Sequence, residues 1–158
     1  MRYDYDVLNI GCGNNIMCNA INLDREKRQG VDVVWNLNDL PLPFKEKSFK
    51  IIYASHIIEH IIDPYGLVVD LTRILKIDGK IIVKLPTSRR SDLAHLRNGH
   101  TRNYFNCLTK NNIGFDSKPL FKNIEVKGNK IDLGRTWFNL REWIFNNIYQ
   151  EIEYRLYK

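Results

Sequence analysis

Two glycines and a carboxylate follow two short apolar runs, and their spacing is typical of a ligand site. The first run ends at Gly11-Cys12-Gly13, and the second ends eleven residues later at Asp24. Glycines let the backbone approach a bound molecule, and a carboxylate accepts hydrogen bonds from both hydroxyls of a ribose. The pattern therefore predicts a site for an adenosine-containing cofactor. The alternative for Asp24 is an N-cap of a helix over residues 25–28, and Cys12 is interpreted as a small filler residue, not as a nucleophile.

The same stretch departs from a dinucleotide-binding site. Ile16 stands where the third glycine of G-x-G-x-x-G belongs, and Asp24 comes well before the ~20-residue offset expected of the acidic residue. Too few residues separate Ile10 from Ala20 for the usual parallel crossover of a dozen or more residues. We therefore expect a shortened first crossover and no NAD or FAD.

Apolar runs alternate with turn signals, as in an α/β protein. Nearly continuous apolar runs are typical of strands buried on both faces. They predict five strands, at 7–10, 20–23, 31–35, 51–54 and 80–85. Between the last two, Asp63-Pro64 indicates a helix start, an apolar stripe from Leu67 to Leu75 follows, and Asp78-Gly79 is the expected end.

The second half of the chain is less regular. Residues 87–112 are polar, and two short strands are predicted at 123–127 and 130–133. Apolar residues then recur every four positions, which predicts a C-terminal helix: Leu140, Ile144, Ile148, Ile152 and Leu156. This stripe is interpreted as a core-facing helix first and as a homodimer contact second.

Composition indicates a globular protein. The 158 residues are 44% hydrophobic and 27% charged, which fits one domain over 1–158 with one core. No apolar run approaches the ~20 residues of a membrane span, and the N-terminal residues do not resemble a signal peptide. Three cysteines without metal or disulfide spacing favour a reducing compartment. We therefore expect a cytoplasmic protein with no membrane partner.

The net charge of +6 allows an anionic partner without requiring one. Four arginines, at 89, 90, 97 and 102, have few acids between them. A solvated loop explains them more simply than a nucleic-acid patch, so nucleic acid stays a second class of partner.

Five segments, taken in order, resemble the class I S-adenosylmethionine-dependent methyltransferases, specifically their small type 11-like branch. The segments are 9–13, 21–24, 36–44, 48–60 and 73–80, with a weaker similarity at 100–105. The resemblance implies a Rossmann-like α/β fold with a mostly parallel central sheet flanked by helices. It also implies S-adenosylmethionine as the cofactor. The contacts it implies are Asn9, Gly11, Cys12, Gly13, Asp24, Asn36, Leu37, Ser55 and His56. Asn36 stands where the family usually has Asp, so it would offer adenine a neutral amide.

Two histidines after the fourth strand, His56 and His60, are the candidate catalytic residues. Methyl transfer from a sulfonium needs alignment, and a hydroxyl acceptor also needs a base, which either histidine could supply. For His60 the alternative is a structural histidine beside Glu59. His56-x-x-Glu59-His60 also spells an inverted zinc-peptidase motif, which the context excludes. A magnesium site formed by His56, Glu59, His60 and His100 would consist mostly of histidine ligands, which suit the hard Mg²⁺ ion poorly. No metal is therefore expected.

These residues and the resemblance together predict methyl transfer from S-adenosylmethionine to a small molecule or a sugar. Two alternatives stay open. One is 2′-O-methylation of RNA, and the other is a catalytically silent cofactor-binding or assembly module.

Overall fold

The computed structural model describes residues 5–86, 121–128 and 151–158. Within them lie seven strands, one α-helix and a 3-10 turn at Ile58–His60. The strands are β1 Val7–Ile10, β2 Ile21–Asp24, β3 Val33–Val34, β4 Phe49–Ser55, β5 Leu75–Pro86, β6 Asn123–Gly128 and β7 Glu151–Tyr157, and the helix is α1 Pro64–Ile74.

All seven strands form one sheet in the order β3-β2-β1-β4-β5-β7-β6. The pairs from β3 through β5 are parallel, and β7 runs antiparallel to both of its neighbours. The chain therefore moves outward from β1 to β3 and then returns to β4 on the other side of β1. The predicted Rossmann-like, mostly parallel class I methyltransferase fold is confirmed. The crevice between β1 and β4 is the switch point where such sheets bind ligands.

The five predicted N-terminal strands all exist, and four of them have shifted ends. β1 has the predicted bounds, β4 is longer at both ends, and β3 shrinks from 31–35 to Val33–Val34. β3 is short because it lies at the sheet edge and pairs only with Leu23 and Asp24. The strand predicted at 130–133 lies outside the described residues, whereas the one at 123–127 is confirmed as β6.

The shortened first crossover is also confirmed, because residues 11–20 join two parallel strands without a helix. Two buried asparagines hold this loop. Asn9 Nδ2 donates to Asn15 O and to Asn22 Oδ1, each at 2.9 Å, and Met17 N donates to Asn22 Oδ1 at 3.0 Å. Side-chain amides thus pair with backbone groups of this loop, which in a crossover helix would be paired within the helix.

Helix α1 begins as predicted and ends early. Asp63 is its N-cap, with Oδ1 accepting from Gly66 N at 2.8 Å, and Pro64 occupies the first turn. The predicted end at Asp78-Gly79 is wrong, because Leu75 is already extended and pairs with Phe49. The last helical carbonyls find partners outside the helix. Ser48 N bonds to Ile74 O at 2.8 Å, and Lys158 Nζ donates to Thr72 O at 2.6 Å.

The C-terminal helix is wrong over 151–157, which form β7, and residues 140–150 lie outside the described residues. Here polar residues alternate with Ile152, Tyr154 and Leu156. A spacing of four residues fits both a helical turn and twice the two-residue period of a strand. Tyr154 and Leu156 are fully buried, so this end of the stripe packs into the core and not against a second copy.

The core is built from the faces of the central strands, α1 and the loop after β3. No helix within the described residues is long and apolar enough to cross a membrane.

Candidate functional site

A cleft of about 490 Å³ opens at the carboxyl ends of the central strands. Its size is within the range of small-molecule sites. The residues that follow β1, β2, β3 and β4 all contribute to its walls. The lining residues in the described part of the chain are Gly11, Gly13, Asp24, Arg25, Glu26, Arg28, Trp35, Asn36, Leu37, Asn38, Ile57, His60 and Ile61.

The predicted glycine loop forms one wall, and its two glycines differ in surroundings. Both adopt positive φ, +60° at Gly11 and +51° at Gly13, a region that L side chains rarely occupy. A Cβ on Gly11 would lie 2.4 Å from Ile57 Cγ1, whereas a Cβ on Gly13 would meet no atom of the described residues within 4 Å. Gly11 is thus required for packing against Ile57, and Gly13 leaves room for a ligand.

Alanine at these two positions is expected to have different effects. Gly11→Ala should lower the melting temperature, because the new methyl group overlaps Ile57 and the backbone is strained. Gly13→Ala carries the strain alone, which costs about 1 kcal/mol. Thermal unfolding of both variants measures the difference. Equal melting temperatures would contradict the packing role of Gly11.

Asp24, the last residue of β2, holds the glycine loop with its carboxylate. Asp24 Oδ2 accepts from Gly13 N at 2.8 Å, and Oδ1 accepts from Glu26 N at 3.1 Å. These two bonds use two of the roughly four acceptor positions of an ionised carboxylate, and Asp24 also lines the cleft. No helix follows, because residues 25–26 are a bend, 27–28 are irregular and 29–30 are a turn, so the N-cap alternative for Asp24 is wrong.

Cys12 is buried between the two glycines, at 3% exposure. Burial raises the pKa of its thiol, and the nearby Asp24 charge raises it further. A raised pKa leaves the thiol protonated and therefore a poor nucleophile. This environment supports its interpretation as a small filler residue.

The outer rim beside Asp24 carries charged residues that sequence reasoning did not assign to the site. Arg28 Nη2 lies 2.6 Å from Glu26 Oε2, and Arg28 Nη1 donates to Asn14 Oδ1 at 3.1 Å. The Arg28 guanidinium lowers the pKa of the exposed Glu26 carboxyl. This rim therefore pairs its arginines with an acidic residue, because Arg25 also lies 3.6 Å from Glu26.

The loop after β3 forms the opposite wall. Asn36 is exposed, and its Oδ1 accepts from Asn38 N at 3.2 Å, while Leu37 is buried at 5% exposure. Trp35 Nε1 donates to Asp39 O at 2.8 Å, which fixes the indole against the same loop. Trp35 was not predicted as a site residue, although an aromatic residue directly after a strand end is the signal that could have indicated it.

Helix α1 anchors the far end of this loop. Asp70 Oδ2 accepts from Leu42 N at 2.8 Å, and Arg73 Nη1 donates to Phe44 O at 2.8 Å. Arg73 Nε also donates to Asp70 Oδ1 at 2.6 Å, which raises the pKa of the guanidinium. Two charged side chains on the helix thus hold the loop that borders the cleft.

Other predicted site residues lie apart from the cleft wall. Asn9 uses its side chain in the crossover network, and Ser55 and His56 are not among the described residues that line the cleft. His56 comes directly before Ile57, which does line it. His60 lines the cleft and is exposed, so its replacement should change stability little.

The sequence interpretation placed Glu59 beside His60, and the structure gives Glu59 a contact with His56. His56 Nδ1 lies 3.8 Å from Glu59 Oε1. Within the described ranges, no group of three or more His, Cys, Asp or Glu residues could hold a metal ion. His100 lies outside those ranges.

Comparison with known proteins agrees with this geometry. The family model described as a methyltransferase domain matches residues 9–83, which contain the cleft-lining residues. No curated protein matches the chain by sequence.

Solved structures resemble the fold over nearly the whole chain. A SAM-dependent methyltransferase from Archaeoglobus fulgidus has 19% identity and a TM-score of 0.61, covering 99% of this chain and 87% of that one. A Bacillus halodurans protein assigned as a methyltransferase has 12% identity and a TM-score of 0.59, with coverages of 96% and 91%.

A third neighbour is a phosphoethanolamine N-methyltransferase 2 from Haemonchus contortus, in complex with S-adenosyl-L-methionine. It has 14% identity and a TM-score of 0.61, and the match covers 100% of this chain and 49% of that one. The chain also spans less than half the length of other structures that it matches. At these identities the likeness shows the fold alone.

Proposed function

We propose that the protein transfers a methyl group from S-adenosylmethionine to an acceptor, because a methyltransferase-domain family model matches residues 9–83 and the fold resembles those of solved methyltransferases. The observation that carries the proposal is the cleft at the β1–β4 switch point. The Asp24 carboxylate and the open face of Gly13 border the same space.

The residues present fit S-adenosylmethionine. Asp24 would accept hydrogen bonds from the ribose hydroxyls. Gly13 would leave space for the part of the cofactor that contacts the backbone, and Asn36 and Leu37 would border the adenine. In the described part of the cleft, both lining arginines pair with Glu26, Arg28 at 2.6 Å and Arg25 at 3.6 Å, so each already has an anionic partner. A cleft with its arginines paired in this way fits a cofactor without phosphates better than it fits NAD.

When bound, S-adenosylmethionine supplies a methyl group activated by a sulfonium. The chain must then align the acceptor, exclude water and, for a hydroxyl acceptor, remove a proton. His56 is the proposed base because it follows β4 at the carboxyl edge of the sheet, next to the cleft residue Ile57. A histidine base favours a hydroxyl group as the methyl acceptor, and we propose that this hydroxyl belongs to a small molecule or a sugar.

Calorimetry tests the proposal. We expect S-adenosylmethionine and S-adenosylhomocysteine to bind with micromolar Kd or tighter, and NAD to show no heat of binding. A labelled-methyl screen over metabolite, RNA, DNA and protein extracts then identifies the acceptor class. Label in RNA alone would favour the 2′-O-methyltransferase alternative. Binding without label transfer in any extract would favour a silent cofactor-binding module, and absent binding would contradict the proposal.

A further inference from the structure

Glu59 is a buried carboxylate whose hydrogen bonding is incomplete. Its side chain is 1% exposed, and its Oε2 has no hydrogen-bond partner among the described residues. Buried polar atoms are nearly always paired, because leaving one unpaired costs its full desolvation penalty. The unpaired Oε2 of Glu59 therefore needs an explanation other than a contribution to stability.

The imidazole of His56 lies close to the Glu59 carboxylate. His56 Nδ1 lies 3.8 Å from Glu59 Oε1, and the His56 side chain is 46% exposed. One member of the pair is therefore enclosed and fixed, while the other reaches solvent. Hydrogen bonds of catalytic pairs are often long before the reactants bind, so 3.8 Å is compatible with a bond that tightens.

The backbone also holds His56 in an unusual conformation. Its φ is +52°, in the left-handed region, and its N–H donates to Lys84 O at 2.9 Å on the neighbouring strand β5. Residues of this kind are uncommon outside glycine and cluster at functional sites. The turn directs the chain from β4 into Ile58–His60, which brings the Glu59 carboxylate to 3.8 Å from His56 Nδ1.

We propose that Glu59 is a positioning residue for His56. Its carboxylate accepts the Nδ1 proton, which fixes the ring and leaves Nε2 unprotonated as the base. This deepens the proposed function and rests on it for the role of Nε2. The pairing itself is a separate physical statement that needs no acceptor to test.

The test replaces Glu59 with methionine, which has similar length and no charge. Nitrogen-15 NMR at about pH 8.5, two units above the ordinary histidine pKa, reports which imidazole nitrogen carries the proton. We expect His56 of the wild type to be protonated on Nδ1, and Glu59→Met to shift it to the Nε2–H form. Glu46→Met is the matched control at an exposed glutamate and should leave the His56 signals unchanged.

A second measurement separates positioning from a structural role. Removing an incompletely paired buried carboxylate should keep or raise the melting temperature. A melting temperature lowered by several degrees, with the Nδ1 proton retained, would show that Glu59 is only structural. If Glu59→Met does not fold, the wild type still decides, because an Nε2–H tautomer there overturns the proposal. Failure of S-adenosylmethionine to bind the wild type would contradict the proposed function and not the pairing.

Discussion

His56→Ala is expected to lower the single-turnover rate of methyl transfer by about 10²–10⁴-fold, the usual range for loss of a general base. Its affinity for S-adenosylmethionine should stay within twofold of the wild type, because the described cleft walls do not include His56. Rapid-quench measurement with the acceptor from the labelled-methyl screen gives the rate, and calorimetry gives the affinity.

His56→Asn is the matched variant for this experiment. Asparagine tolerates a positive φ, so it keeps the turn at φ +52° and removes only the base. Tyr65→Ala, on the exposed side of α1, serves as a remote control. His60→Ala should instead weaken cofactor binding, since His60 lines the cleft. A wild-type rate for His56→Asn would end the catalytic role of His56.

Asp24→Ala is expected to weaken S-adenosylmethionine binding by ~1.5–3 kcal/mol, as for the loss of a charged hydrogen-bond partner. This corresponds to an increase in Kd of about 10- to 150-fold. The structure adds a second reason for the loss. Gly13 N and Glu26 N both bond to this carboxylate, so its removal also releases the glycine loop.

Asp24→Asn separates the two contributions. The amide oxygen can still accept from Gly13 N, but asparagine has fewer acceptors for ribose. Its affinity should therefore fall between those of the wild type and Asp24→Ala. Asp78→Asn, at an exposed positive-φ position within β5 and outside the cleft, controls for the change in net charge. An unchanged Kd for Asp24→Ala would remove Asp24 from the proposed site.

The sequence by itself determined the elements that depend on local chemistry. Apolar runs located β1 to β5, because strands buried on both faces need continuous apolar residues. Asp63-Pro64 located the start of α1, because capping and the fixed φ of proline act within one turn. Gly11, Gly13 and Asp24 were predicted to share one cofactor site from their residue types and spacing, and all three line the same cleft.

Only the tertiary structure decided features that depend on partners distant in the sequence. Helix α1 ends at Ile74 because Leu75 pairs with β4, and 151–157 form a strand because they pair with β5 and β6. The four-residue spacing of the apolar residues Ile152 and Leu156 fits a helix and a strand equally. The contact between His56 and Glu59 likewise depends on a left-handed turn that no residue pattern marks. Local sequence sets what a segment can form, and long-range pairing selects among those forms.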